Sequence, residues 1–218
     1  MLHYIQALFQ QLDLFSALDA VLRVVSVLLC LMVHEICHGL AALSLGDPTA
    51  RSMHRLSLNP LRHIDWLGLL MMFAVGFGWA KPVPVDPRYF KDPKKGMALT
   101  ALAGPVSNFM LAFSLILLSK GIYLYAGYSA VWNGIFNFLL STAILSIGLG
   151  LFNLIPIPPL DGSKVLGALL PDRTYFKLMR YERYGMLLLI LLFFTNVGGG
   201  FISRAITAVY TAMVNLLY

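Results

Sequence analysis

Long apolar runs separated by short polar stretches dominate the chain. Four of these runs are long enough to cross a bilayer, which takes about 20 mostly apolar residues in a helix; they are residues 24–45, 97–118, 134–157 and 185–202. The pattern predicts an all-α polytopic membrane protein with about four to six transmembrane or membrane-embedded helices. Residues 205–218 are also apolar but form a shorter run, which could lie at the interface or complete a final helix.

A fifth apolar run, residues 66–80, is too short to span a bilayer and contains Gly68, Gly76 and Gly78. Both of its flanks are rich in Lys and Arg, which collect on the cytoplasmic side of membranes. We therefore expect this run to enter the membrane and return, as a re-entrant hairpin between the first two core spans. With this topology, residues 46–95 and 158–184 are cytoplasmic and contain 13 of the 16 Lys and Arg residues, and the N-terminus lies outside.

Composition supports the membrane assignment. Apolar residues make up 59% of the 218 residues and charged residues 12%, with a mean hydropathy of +0.77. Such a chain has too little polar surface for a soluble enzyme, a disordered regulator or a disulfide scaffold. The net charge of +6 is explained by cytoplasmic loops, and we expect no nucleic-acid partner. We expect one membrane-embedded domain over residues 1–218, with a core at 20–165 and C-terminal helices at 176–218.

Three ionisable residues interrupt the first span, in the order His34, Glu35 and His38. Ionisable groups inside a membrane are costly and usually functional. The spacing is H-E-x-x-H, which places both imidazoles on one face of a helix, where they can bind one Zn²⁺. Glu35, next to the first ligand, is suited to act as the general base on a water molecule.

A tetrahedral catalytic zinc site requires a third protein ligand. Asp161 is the first charged residue after Lys120 and follows a proline-rich break in residues 153–160, where a regular helix cannot continue. A carboxylate there could cap a helix or form a turn at the membrane surface, but the incomplete pair of histidines favours the ligand. His54 and His63 lie in a polar, basic stretch and are more typical of surface residues than of metal ligands.

Taken together, these motifs resemble the site-2 protease family of intramembrane zinc metalloproteases. The resemblance rests on His34–His38 and the Leu-Asp-Gly at 160–162, with further matches at residues 46–51, 58–60, 78–85 and 103–108. It covers roughly residues 20–185 and is closest to the short bacterial branch, which lacks the PDZ domain of longer members. It implies one Zn²⁺ per chain, held by His34, His38 and Asp161, with Glu35 as the base.

The resemblance also implies an active site toward the cytoplasmic side of the cell membrane and substrates that are transmembrane helices. It implies that Gly76 and Gly78 belong to a hairpin that holds an unwound substrate as an added strand. Asn108 could donate to a substrate carbonyl or could join helices, and we weigh these alternatives equally. Asn153 could bind the substrate backbone or cap the broken helix, and the second is favoured.

The sequence therefore predicts a zinc endopeptidase that cleaves within membrane-embedded helices. A membrane zinc carrier or sensor is the alternative, but the span at 134–157 contains no charge that would continue a polar path across the bilayer. A non-catalytic relative would have lost Glu35 or a ligand. A prenyl-protein protease would take a glutamate as third ligand, and no glutamate follows Glu35 until Glu182.

Overall fold

The fold is all-α in the computed structural model, which describes residues 14–75, 80–127, 129–175, 185, 189 and 199–217. Four long helices are α1 (Leu14–Ser44), α4 (Pro93–Tyr125), α5 (Ala130–Asn153) and α7 (Gly199–Leu217). Shorter helices are α2 (Thr49–Ser52), α3 (Trp66–Val75) and α6 (Asp161–Leu169), with 3₁₀ turns at Pro60–Arg62 and Pro87–Tyr89. Strand pairing within these ranges is limited to one antiparallel bridge, between Ile64 and Ala80.

The four long helices confirm a polytopic membrane protein, because each is long and apolar enough to cross a bilayer. Three of them, α1, α4 and α5, coincide with the predicted spans at 24–45, 97–118 and 134–157, although the helix ends differ from the predicted ones. The span predicted to end at residue 157 ends four residues earlier, because α5 ends at Asn153. The cause is the proline-rich stretch that follows, where missing N–H groups and fixed φ angles stop a helix.

The C-terminal region differs from the expected pattern. Most of the predicted span at 185–202 lies outside the described residues. Helix α7 begins at Gly199 and continues without a break to Leu217, so the tail completes a membrane-length helix. Its apolar face packs against the core formed by α4 and α5. The packed residues are spaced three and four apart, as on one side of a helix, and include Ile206, Val209, Tyr210 and Met213.

The packed centre of the molecule lies between α4 and α5. Ala112, Ile116, Ala143 and Ile147 are completely buried there, and α1 packs against both helices. Small side chains at this interface let the helix backbones approach closely, which is how helices gain contact energy in a membrane. Asp92 caps the N-terminus of α4, and its carboxylate accepts the N–H groups of Lys95 and Lys94; the pKa of Asp92 is lowered by these bonds.

The chain segments on either side of the expected hairpin, between α2 and α4, lie next to each other. Asp65 caps α3 by accepting the N–H groups of Leu67 and Gly68 at 3.0 Å. After α3, the chain comes back at Ala80, which pairs with Ile64 at the start of the excursion. The Lys81 N–H donates to the carbonyl of His63 at 2.9 Å. The two ends of the expected hairpin are therefore adjacent, and its tip at residues 76–79 lies outside the described residues.

Replacing Ile147 by alanine tests the α4–α5 core. Ile147 is fully buried, so the variant leaves a cavity that costs about 2 kcal/mol, at the low end for such changes because lipid is as apolar as the core. Unfolding of the purified protein in detergent micelles measures the loss. The control is Ile144→Ala on the same helix, where the side chain is 42% exposed and little change is expected. Equal stability of the two variants would contradict this packing.

Candidate metal centre

Helix α1 presents His34 and His38 to the interior of the molecule. They are four residues apart and therefore share one face of the helix, as the motif predicts. Both are buried, with 3% and 8% of their surface exposed. Their Nε2 atoms lie 2.9 Å apart, which is the approach expected of two ligands aimed at one ion.

Asp161, on a different helix, lies next to both histidines. It is the first residue of α6 and follows the turns that end the proline-rich stretch. Its Oδ2 lies 3.1 Å from the Nε2 of His34 and 3.1 Å from the Nε2 of His38. The neighbouring Gly162 permits this placement, because a Cβ there would stand 2.2 Å from the carbonyl oxygen of Leu154.

The three atoms have the geometry and chemistry that zinc requires. Two imidazole nitrogens and one carboxylate oxygen form a triangle with edges of 2.9, 3.1 and 3.1 Å. A tetrahedral ion with bonds of about 2.0 Å separates its ligand atoms by roughly 3.3 Å, so an ion fits with a small expansion. Three protein ligands also leave one position open, which is typical of catalytic rather than structural zinc.

Helix α4 forms the floor under both imidazoles. A Cβ placed on Gly104 would lie 2.4 Å from the Cε1 of His38 and 2.6 Å from the Cε1 of His34. The absence of a side chain at Gly104 is therefore what lets the two rings rest on the helix backbone. One turn earlier, the carbonyl of Thr100 accepts the Nδ1–H of His38 at 2.7 Å. That bond orients the ring so that its Nε2 faces the Nε2 of His34 and the Oδ2 of Asp161.

Glu35 lies beside the ligand cluster and is half-buried. Its Oε2 accepts the backbone N–H of Val83 at 2.8 Å. His34, Glu35, His38 and Asp161 all line one cavity of about 320 Å³, and Val83 also lines it. The carboxylate thus has access to the space in which a water molecule and a peptide bond could meet.

An extended segment, residues 81–86, holds Glu35 in place. It is attached to the α1 side of the fold at several points besides Val83. The Arg55 guanidinium donates to the carbonyl of Lys81 at 2.8 Å, and the Asp86 N–H donates to the buried Asp47 at 2.7 Å. These anchors all use backbone atoms of the segment.

The candidate substrate residues are placed differently from one another. Asn153 lines the cavity, and its Nδ2 donates to the carbonyl of Leu149 within its own helix. Asn108 has no exposed surface and is not part of the cavity wall. Gly76 and Gly78 lie outside the described residues. His54 is exposed and His63 donates to the carbonyl of Ser57, and neither belongs to the ligand cluster.

The contacts of three residues at the cavity were not anticipated from the sequence. Lys164 lines the cavity, and its Nζ lies 3.8 Å from the Oδ1 of Asp161. Residues three positions apart share one face of a helix, so the spacing of Lys164 from Asp161 could have indicated this contact from the sequence. The contacts made by Val83 and Thr100 use backbone atoms, and no side-chain pattern can indicate them.

Several known proteins are similar to this chain in sequence. The model of peptidase family M50 matches residues 118–195. YwhC of Bacillus subtilis, named as a zinc metalloprotease, is 37% identical over 80% of this chain and 81% of its own length. MJ0611 of Methanocaldococcus jannaschii, with the same description, is 31% identical over 70% of this chain and 72% of its own. No solved structure matches the chain.

The mycobacterial relatives are longer. Rip2 of Mycolicibacterium smegmatis, also named as a zinc metalloprotease, is 30% identical over 77% of this chain. The match spans 64% of the Rip2 protein.

Replacing Gly104 by alanine tests the floor of the metal centre. The added methyl group collides with both imidazoles, so zinc affinity should fall at least tenfold, the size of effect seen when the support of a ligand is lost. Competition with a chromophoric chelator measures the dissociation constant. Gly121→Ala on the same helix is the control, because a Cβ there meets nothing within 4 Å. Wild-type affinity in the Gly104 variant would show that the rings do not rest on α4.

Proposed function

Because this chain belongs to the site-2 protease family of zinc-dependent metalloendopeptidases, peptidase family M50, we propose that it cleaves peptide bonds within membrane-spanning segments of other proteins. The proposal includes zinc ligation by His34, His38 and Asp161 and a catalytic role for Glu35. The observation that carries it is the convergence of these four side chains on one cavity between membrane-length helices.

The positions of the residues support the roles that we propose for them. His34, His38 and Asp161 hold the zinc ion, which supplies Lewis acidity for the attack of water on a carbonyl carbon. Glu35 lies at the cavity with one carboxylate oxygen bound to the N–H of Val83. The carboxylate accepts a proton from the attacking water and returns it to the nitrogen of the leaving amine. The bond to Val83 holds Glu35 in one orientation between these two transfers.

The substrate must unwind before it can be cut. In an intact helix each carbonyl is engaged in an internal hydrogen bond and is shielded by side chains. We propose that the unwound segment adds as an extended strand to the hairpin, at Gly76 and Gly78, where glycines allow close backbone approach. Asn153 lines the cavity and contacts the substrate backbone in this scheme. The same arrangement would place the scissile bond near Glu35.

We propose that the active site lies toward the cytoplasm. The ligand cluster is near the C-terminal end of α1 and is lined by the early part of α4, so it lies on the side of the loops that connect them. Residues 46–95, which include those loops, contain 8 of the 16 Lys and Arg residues, and such residues collect on the cytoplasmic side of membranes. Water would then reach Glu35 from the cytoplasm without crossing the bilayer.

Replacing Glu35 by glutamine separates proton transfer from metal binding. Cleavage of a single-span model substrate in detergent or vesicles should be abolished, because the amide cannot accept the proton, while the zinc content stays near that of the wild type. Zinc content is measured by atomic emission and cleavage by gel electrophoresis.

The control is Glu182→Gln at the only other glutamate, which should leave cleavage intact. Full activity in the Glu35 variant would rule out its role as the base. Zinc binding by a wild-type protein that cleaves none of a panel of single-span substrates would favour the alternative of a carrier or sensor.

Thiol labelling tests the orientation. In a background with both native cysteines replaced, Lys91→Cys lies on the loop before α4 and Ala130→Cys at the start of α5, and both positions are exposed. A membrane-impermeant maleimide applied to intact cells should label the cysteine at position 130 and not the one at 91, which should react only after permeabilisation. The reverse pattern would place the metal centre on the outer side.

A further inference from the structure

Two residues of α4, Thr100 and Gly104, contact the candidate metal-ligating histidines, and Asn108 follows at the same spacing of four residues. Thr100 accepts the Nδ1–H of His38, and Gly104 lies against both imidazoles. His38 contacts both Thr100 and Gly104, whereas His34 contacts Gly104. Helices α1 and α4 therefore run antiparallel here. Asn108 is one turn further along α4, in the direction that leads from His38 to His34 on α1. A side chain on a helix leans toward its N-terminus, which directs the Asn108 amide toward Gly104 and the ring of His34.

The two histidines differ in what their second ring nitrogen contacts. The Nδ1 of His38 is bonded to the Thr100 carbonyl. The Nδ1 of His34 is buried and has no hydrogen-bond partner among the described residues. Metal-ligating histidines almost always donate from the second nitrogen to a carbonyl, a carboxylate or water, which fixes the tautomer and the ring. His34 therefore needs an acceptor that has to come from its buried surroundings.

Asn108 has the matching requirement. It is fully buried, and neither its Oδ1 nor its Nδ2 has a hydrogen-bond partner in the part of the chain that the structure describes. Its backbone carbonyl accepts the Ser146 hydroxyl at 2.8 Å, which ties this turn of α4 to α5. A buried amide with both atoms unbonded is unfavourable, so a second polar group is expected within reach.

We propose that Asn108 is the positioning residue of His34. Its Oδ1 accepts a hydrogen bond from the Nδ1–H of His34, directly or through one buried water molecule. The bond keeps the Nε2 of His34 unprotonated and aimed at the Nε2 of His38 and the Oδ2 of Asp161. Each imidazole is then held by α4 through one acceptor, a backbone carbonyl for His38 and a side-chain amide for His34.

This role differs from the substrate contact considered for Asn108. The residue has no exposed surface and is separate from the residues that line the cavity, so a substrate carbonyl cannot reach it in this arrangement. The inference rests on the proposed metal centre but does not depend on proteolysis, and zinc affinity is its direct readout.

The test compares three variants of the full chain, purified in detergent. Asn108→Leu keeps the size of the side chain and removes the acceptor, and its zinc dissociation constant should rise about 10- to 100-fold. Asn108→Asp supplies a carboxylate acceptor and should bind zinc at least as tightly as the wild type. Ser107→Ala is the matched control, because Ser107 is buried on the same helix but donates to the carbonyl of Gly104. Its affinity should be unchanged.

A merely structural role predicts another order, in which a buried charge at position 108 is the most harmful change. Weaker zinc binding by Asn108→Asp than by Asn108→Leu would therefore overturn the inference, as would wild-type affinity in Asn108→Leu. If the leucine variant does not yield folded protein by circular dichroism, Asn108→Ala replaces it, with the same expected loss. A wild-type chain that binds no zinc would overturn the metal centre itself, and that result is distinct from an effect limited to Asn108.

Discussion

The close approach of α1 to α4 at Gly104 is the contact on which the metal centre depends. Two imidazoles and a carboxylate inside a membrane protein are stable only when they satisfy one another or bind an ion. In this structure the Cε1 edges of both rings lie against α4, and a side chain larger than hydrogen at Gly104 would occupy that space. The ligand geometry is therefore a result of helix packing as much as of the motif on α1.

The remaining elements complete this arrangement from two directions. The proline-rich stretch ends α5 and turns the chain so that Asp161 begins α6 at the open side of the histidine pair. On the other side, the segment at 81–86 brings the Val83 N–H to Glu35 and is itself held by Arg55 and Asp47. Glu35 lies on α1 between the two histidines, but its carboxylate is bonded to the segment at 81–86, whereas the imidazoles contact α4 and Asp161.

Much of the fold could be predicted from hydropathy, because a bilayer imposes a fixed length on any helix that crosses it. Each of the predicted spans at 24–45, 97–118 and 134–157 lies wholly or mostly in one long helix. The ends were less certain, since α5 stops at Asn153 and α7 continues through the tail to Leu217. The apolar run at 205–218 was too short to indicate whether it lies at the interface or completes a helix. In the structure it completes α7, whose apolar face packs against the core formed by α4 and α5.

The sequence by itself determined the chemistry of the candidate site, because His34, Glu35, His38 and Asp161 are rare ionisable groups in a mostly apolar chain and the spacing on α1 places the histidines on one face. Only the tertiary structure decided what surrounds them. The floor at Gly104, the carbonyl of Thr100 and the N–H of Val83 are backbone features, and Asn108 and Lys164 became relevant through their neighbours. Backbone groups are the same in every residue, so their positions emerge only when the helices pack.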